Sequence, residues 1–235
     1  MTKFCTKCGK KLEDGQVCDC NTKIENTSST FDIKECANDY LEIIKGIFIH
    51  PATTIKKYSQ ENKCILGIIA LIINCLVSGF LFYFLCDKAL NGIMSLFMGG
   101  YSSLLSSSYS IPFFRCFLMG LLFMVFWFLV CAFVILLFAN PIFKSKINIK
   151  NVFALLGSCS VFTTLTSIFA IICSFISVPF TIAVLFISAG FYLTHLYQGL
   201  SDITNLNKNK LVYVFMPAIT AATFVMVYIV PKFFK

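Results

Sequence analysis

Charge is what this sequence has least of. Only 13% of its 235 residues are Asp, Glu, Lys or Arg, while 58% are hydrophobic; an ordinary soluble domain carries about 25% charged and roughly 45–50% apolar residues. The charged minority crowds into the N-terminal quarter and a few short connectors. Such blocks exclude an oversized soluble core and indicate a chain built for a bilayer. Catalytic signatures are missing too. No Asp/Glu pair sits inside an apolar run, and there is no H-E-x-x-H, no G-x-S-x-G and no phosphate-binding glycine loop. Histidine occurs only twice, as His50 and His195. A lone His beside a Pro, as at His50-Pro51, reads as a turn residue. Nothing here predicts an enzyme. The stretch Met1 to Cys20 mixes charges with cysteines and has no apolar h-region, so no cleavable signal peptide is expected and the first hydrophobic helix serves as its own insertion signal. A basic stripe is also lacking. The formal charge of +8 comes from lysines flanking apolar runs, which topology and anionic headgroups explain, so nucleic acid is not an expected partner. Lys3, Lys7, Lys10, Lys11 and Lys23 would allow it, but Phe4 is the sole aromatic near them.

What remains is long apolar segments. About twenty apolar residues cross roughly 30 Å of hydrocarbon, and five segments qualify: Cys64 to Leu85, Phe113 to Phe138, Val152 to Ile176, Pro179 to Tyr197 and Leu211 to Val230. The stretch 89–111 is diluted by Gly92, Gly99, Gly100 and a Ser-rich run; a loop with an interfacial or re-entrant helix is expected there, with a sixth span as the alternative. The predicted fold class is therefore an all-α integral membrane bundle of about five spans, with a small N-terminal knuckle.

The twelve cysteines form two populations. Cys36, Cys64, Cys75, Cys86, Cys116, Cys131, Cys159 and Cys173 stand singly, mostly in apolar runs, where a thiol behaves as a small hydrophobe. Cys5, Cys8, Cys18 and Cys20 are clustered and polar-flanked. Phe4-Cys5-Thr6-Lys7-Cys8-Gly9 is a C-x-x-C-G knuckle that turns two thiolates toward one ion, Cys18-Asp19-Cys20 offers a second pair, and Asp14-Gly15 is a turn signal between them. Four thiolates make a closed tetrahedral site, which predicts one structural Zn2+ with no open catalytic position. So short a segment buries almost no core, and zinc binding, worth roughly 10–16 kcal/mol in comparable peptides, would fold it. Disulfides are the alternative and would need an oxidising compartment. The one-residue spacer of the second pair also leaves a redox or weaker metal site open.

The domain plan is a knuckle over 1–20, a flexible polar linker over 21–32, juxtamembrane amphipathic helices over 33–63 and a membrane domain over 64–235. Leu41, Ile44, Ile47 and Phe48 recur at helical spacing, Pro51 breaks the first helix, and a second runs from about Ala52 to Asn62. The pair either lies along the cytoplasmic interface or packs on the bundle. Lys56, Lys57 and Lys63, then Lys144, Lys146 and Lys150, then Lys208 and Lys210 fall on one side if there are five spans. The positive-inside rule puts that side, and the N-terminus, in the cytoplasm of a plasma-membrane protein. Lys232 and Lys235 at the exterior C-terminus run against it.

These pieces resemble a bacterial zinc-ribbon protein whose membrane part is similar to the Yip family of five-span proteins. The residues carrying the likeness are Phe4-Cys5-Thr6-Lys7-Cys8-Gly9 and the run Ile43-Ile44-Lys45-Gly46-Ile47-Phe48-Ile49-His50-Pro51 entering the first span. Heavy use of Lys, Asn, Ile and Phe fits the coding bias of a low-GC bacterium. Eukaryotic relatives in the family bind Rab-type GTPases; in bacteria the resemblance implies a membrane protein of unassigned activity, with no catalytic residue to transfer. The function expected is a non-enzymatic scaffold or sensor, its knuckle meeting a cytoplasmic protein or a second copy of itself. The alternative is a small-solute permease or channel lined by Asn74 and the polar face of the third span, where Ser158, Ser160, Thr163, Thr164, Thr166 and Ser167 lie. Such neutral residues also serve as helix-packing contacts.

Overall fold

A computed structural model describes residues 3–4, 11–12, 33–59, 63–98 and 112–229. The chain divides into two units, Met1–Ala37 and Asn38–Lys235. In the first, β1 (Lys3–Phe4) pairs antiparallel with β2 (Lys11–Leu12), Lys3 opposite Leu12 and Phe4 opposite Lys11. The remaining elements are helical: α1 (Ile33–Ile49), α2 (Pro51–Tyr58), α3 (Cys64–Met98), α4 (Phe113–Leu137), α5 (Ile149–Ser174), α6 (Val178–Thr204) and α7 (Lys208–Phe224). Five residues of π-helix, Phe138–Ile142, extend α4, and Val225–Ile229 extend α7.

Helix boundaries follow local chemistry. Pro51 starts α2 with a ring that needs no donor, and the His50 carbonyl receives the Thr54 amide and the hydroxyls of Thr53 and Thr54. Asn148 caps α5 by accepting from the Lys150 amide. Asn205, at φ 52°, ends α6 in the left-handed conformation. After the Pro141-bearing π segment, the Asn140 side chain brackets Ile147, donating to its carbonyl at 2.8 Å and accepting from its amide at 2.7 Å.

Among the described residues, four helices are long and apolar enough to cross a membrane, over Cys64–Lys88, Phe113–Ile142, Ile149–Ser174 and Val178–Thr204. The predicted fifth span falls on α7, which is 17 residues of helix followed directly by 5 of π-helix. Of the stretch 89–111, expected to be a loop with an interfacial or re-entrant helix or else a sixth span, residues 89–98 are helical and continue α3 to Met98. Gly92 costs a helix only about 1 kcal/mol, and Ala89, Leu90, Ile93, Met94, Leu96, Phe97 and Met98 around it are compatible with helix. Residues 99–111 lie outside the described residues.

The bundle is organised about α5, which packs on α3 and α6, while α3 also packs on α4 and α4 on α7. Two seams are tight because glycines face each other. A Cβ on Gly67 would stand 2.7 Å from Ala154 Cα and from the Phe153 carbonyl, and one on Gly157 would strike the Gly67 backbone. Gly79 and Gly120 bring α3 and α4 together in the same way. Without a hydrophobic driving force between helices in lipid, such close backbone approach is how dispersion contacts accumulate. The core includes Cys131, Ile135, Leu155, Leu156, Cys159, Leu196, Leu200 and Val214, all buried. Cys75, Cys131, Cys159 and Cys173 are buried as the apolar thiols expected of them. Large apolar side chains such as Phe133, Phe186 and Ile187 point outward, which is the inverse of a water-soluble surface and suits a hydrocarbon solvent.

Candidate functional site

Three places hold the chemistry singled out in the sequence. The cysteines Cys5, Cys8, Cys18 and Cys20, with Asp14-Gly15 and the linker up to residue 32, lie outside the described residues, so the expected Zn2+ rests on the donor set. The β1–β2 pairing brackets residues 5–10, the C-x-x-C-G segment, between two short strands. Among the described residues no three His, Cys, Asp or Glu side chains converge in a metal-binding group.

The second place is the junction of α1, α2 and α3. Here Ile43, Ile47 and Tyr58 are buried with Leu66, Ala70 and Val161, and Ile55 is buried in the main core beside Gly199 of α6. Gly46 leaves room for Thr54, so α2 folds back closely on α1. Polar contacts fix the same fold. Glu42 accepts from Lys57 Nζ at 2.7 Å and from Tyr58 Oη at 2.9 Å, and Lys63 pairs with Asp39. The bond from Lys57, then that from Tyr58, holds the Glu42 carboxyl below its ordinary value. The same pair raises Lys57, while burial first, and Glu42 second, raises Tyr58. Of the two arrangements open in the sequence, the buried Ile43 and Ile47 show packing on the bundle. The other side of α1 still exposes Leu41, Phe48 and Ile49, which fits an outer face at the lipid interface. None of these ion pairs was read from the sequence. They join residues 15 to 24 positions apart, and only the reversal at His50-Pro51 brings those together.

The third place is Asn74. It is fully buried, and its amide nitrogen donates to Thr163 Oγ1 at 2.8 Å, Thr164 Oγ1 at 3.0 Å and the Ser160 carbonyl at 3.2 Å. The α5 hydroxyls also bond back to their own helix: Ser158 to Leu155, Ser160 to Gly157, Thr163 and Thr164 to Ser160, and Thr166 to Phe162 and Thr163. That pattern is local satisfaction of buried hydroxyls. Asn74 Oδ1 has no partner among the described residues. Of the residues named as a possible pore lining, Asn74, Ser160, Thr163 and Thr164 meet in the α3–α5 seam, with the Asn74 donor groups engaged there, whereas Thr166 reaches Ser188 of α6. His195 lies between Phe162 and Phe191, at ring separations of 6.2 and 6.1 Å, and is largely buried.

Apolar helices with glycine seams, a neutral hydrogen-bonded interior and a helical hairpin docked at one end define a multi-pass helical membrane protein. The chain belongs to the Yip1 family: the family model described as Yip1 domain matches residues 45–229. That match begins within α1 and takes in the α1–α2 junction as well as every span. No curated protein and no solved structure gives a significant match.

Proposed function

We propose that this Yip1-family chain is a non-enzymatic membrane scaffold or sensor. Cys5, Cys8, Cys18 and Cys20 hold one structural Zn2+, and the knuckle so formed offers a small rigid surface to a cytoplasmic protein or to a second copy of the chain. The observation that carries this reading is the fixed junction: Ile43, Ile47, Ile55 and Tyr58, together with the Glu42 and Asp39 ion pairs, anchor α1 and α2 to the bundle. A closed four-thiolate site is structural chemistry, and the bracketing of the C-x-x-C-G segment by β1 and β2 supports it. The bundle adds no catalytic constellation among its described residues, whose buried polar groups are Asn, Ser, Thr, Tyr and His.

In this reading α7 with its π-helical continuation is the fifth span. The N-terminus, α1–α2 and the Lys144–Lys146 connector then share the cytoplasmic side of a bacterial plasma membrane. The scaffold role is tested by deleting residues 1–30 and crosslinking in intact cells. The truncated protein is expected to insert normally and to lose its crosslinked partner band; an unchanged band refutes the proposal.

A further inference from the structure

A cavity of about 330 Å3 lies among α3, α4, α5 and α6, inside the four spans and nearer the end where α3 and α5 finish and α4 and α6 begin. Its walls are of two kinds. Phe82 of α3 with Phe123, Trp127 and Phe128 of α4 make an aromatic side, while Ser78 of α3, Thr163 and Ser167 of α5, and Ser188 and Tyr192 of α6 contribute hydroxyls. Among the described residues no charged side chain lines it. Three features of the hydroxyls are unusual for the centre of a membrane protein. Ser167 is 7% exposed and Tyr192 6%. The Ser78 and Ser167 hydroxyls have no hydrogen-bond partner among the described residues, although Ser and Thr elsewhere on α5 bond back to their own helix. The Tyr192 phenol is equally without one; the Trp127 indole faces it, but indole only donates, so the phenolic hydrogen finds no acceptor. Buried polar groups are ordinarily satisfied, and the hydroxyl hydrogens of the buried Ser167 and Tyr192 and the half-buried Ser78 meet one void with no acceptor among the described residues.

We propose that this cavity is a binding site for a neutral lipid carrying a carbonyl oxygen, which accepts from Ser167, Ser78 or Tyr192 while its hydrophobic body rests on the Phe82–Trp127–Phe128 side. The described lining offers no charge to pair a phosphate or carboxylate headgroup, and an unpaired ion there would be costly. A site between the spans calls for a lipid whose oxygen enters the hydrocarbon region, as a quinone ring or the ester of an uncharged glyceride does. The volume falls in the range of small-ligand pockets and accommodates a ring with its first chain carbons or a glyceride ester group.

Trp127 is the only tryptophan in the chain and lines the site, so its fluorescence reads occupancy directly. The full chain in lipid nanodiscs would be titrated with three probes: a decyl-substituted benzoquinone, a diacylglycerol brominated on one chain, and a brominated alkane of equal length without oxygen. Saturable quenching by the quinone, the glyceride or both supports the site, and which of them saturates identifies the source of the carbonyl. Ser167→Ala and Tyr192→Phe each remove one donor without adding bulk and are expected to weaken the saturable phase about fivefold, the size of one lost hydrogen bond. Ser167→Leu fills the void and should abolish that phase. Linear quenching identical in wild type and variants, or saturation by the oxygen-free alkane at the same concentration as by the carbonyl probes, overturns the proposal. Thermal unfolding of each variant, followed by circular dichroism, shows whether it retains the wild-type fold.

Discussion

The glycine seam between α3 and α5 and the Asn74 cluster lie on one rigid interface, so a methyl group placed at the first should be felt at the second. Gly157→Ala puts a carbon into the Gly67 backbone. The mirror contact, 2.7 Å from a Gly67 Cβ to Ala154 Cα, compares with a comfortable carbon–carbon separation of about 3.5–4.0 Å, so the helices must part by about 1 Å. Asn74 lies two turns further along α3, about 10 Å at 1.5 Å per residue. Its hydrogen bonds of 2.8, 3.0 and 3.2 Å would then stretch beyond the N–H···O range, which ends near 3.2 Å. Overpacking costs about 1–3 kcal/mol, and the unpartnered amide adds about 1–2 kcal/mol, given values of roughly 0.6 kcal/mol per hydrogen bond inside membranes and 1–3 for a stranded buried group. Gly157→Ala is therefore expected to destabilise by about 2–5 kcal/mol. The informative measurement is a double-mutant cycle with the near-isosteric Asn74→Leu, read by reversible unfolding of the purified protein in mixed micelles. Because Gly157→Ala already breaks the Asn74 bonds, the double mutant should fall short of the summed single effects by about 1 kcal/mol or more. Additivity within about 0.3–0.5 kcal/mol would show that the two sites do not share one seam.

Two further outcomes are expected. Glu42 is held below its ordinary carboxylate value of 4.5 by Lys57 and Tyr58; a lowered folded-state value stabilises the α1–α2 junction above that ordinary value and is lost as pH falls through the lower one. Protection of the α1 amides, after correction for the intrinsic pH dependence of exchange, should therefore fall on acidification of the wild type, and Glu42→Gln should be less protected at neutral pH with no such acid step; identical pH profiles of protection would refute the role of the carboxylate. The purified chain should carry one Zn2+, and Cys5→Ser or Cys18→Ser should lose it. An impermeant thiol reagent should label Cys5 and Cys8 only from the cytoplasmic side and only after chelation, whereas labelling from outside would reverse the orientation.

The membrane class was legible because it depends on one-dimensional properties: twenty or so apolar residues in a row, little charge, and turns carrying lysine. His50-Pro51 likewise announced the break between α1 and α2, since proline's missing donor and fixed ring act locally. Where the reading relied on composition alone it stopped short. Gly92 dilutes the apolar run after the first span, and the helix continues through it to Met98, because a single glycine's penalty is small beside the backbone hydrogen bonds it leaves intact. The Ser and Thr residues of α5 were visible, but whether they lined a pore or a seam was not; that depended on Asn74 arriving from α3 with its donors facing them.

Sequence by itself determined the solvent of this protein, the number of residues available to each span, and the four thiolates whose spacing suits a zinc ion. Those are properties of neighbouring residues and their periodicity. Tertiary structure alone decided that Gly67 meets Gly157, that Glu42 reaches Lys57 and Tyr58, and that Ser78, Ser167 and Tyr192 surround one void. Each of those depends on the relative height and rotation of separate helices. In lipid that registry is set by side-chain fit across the seams, which no single segment encodes.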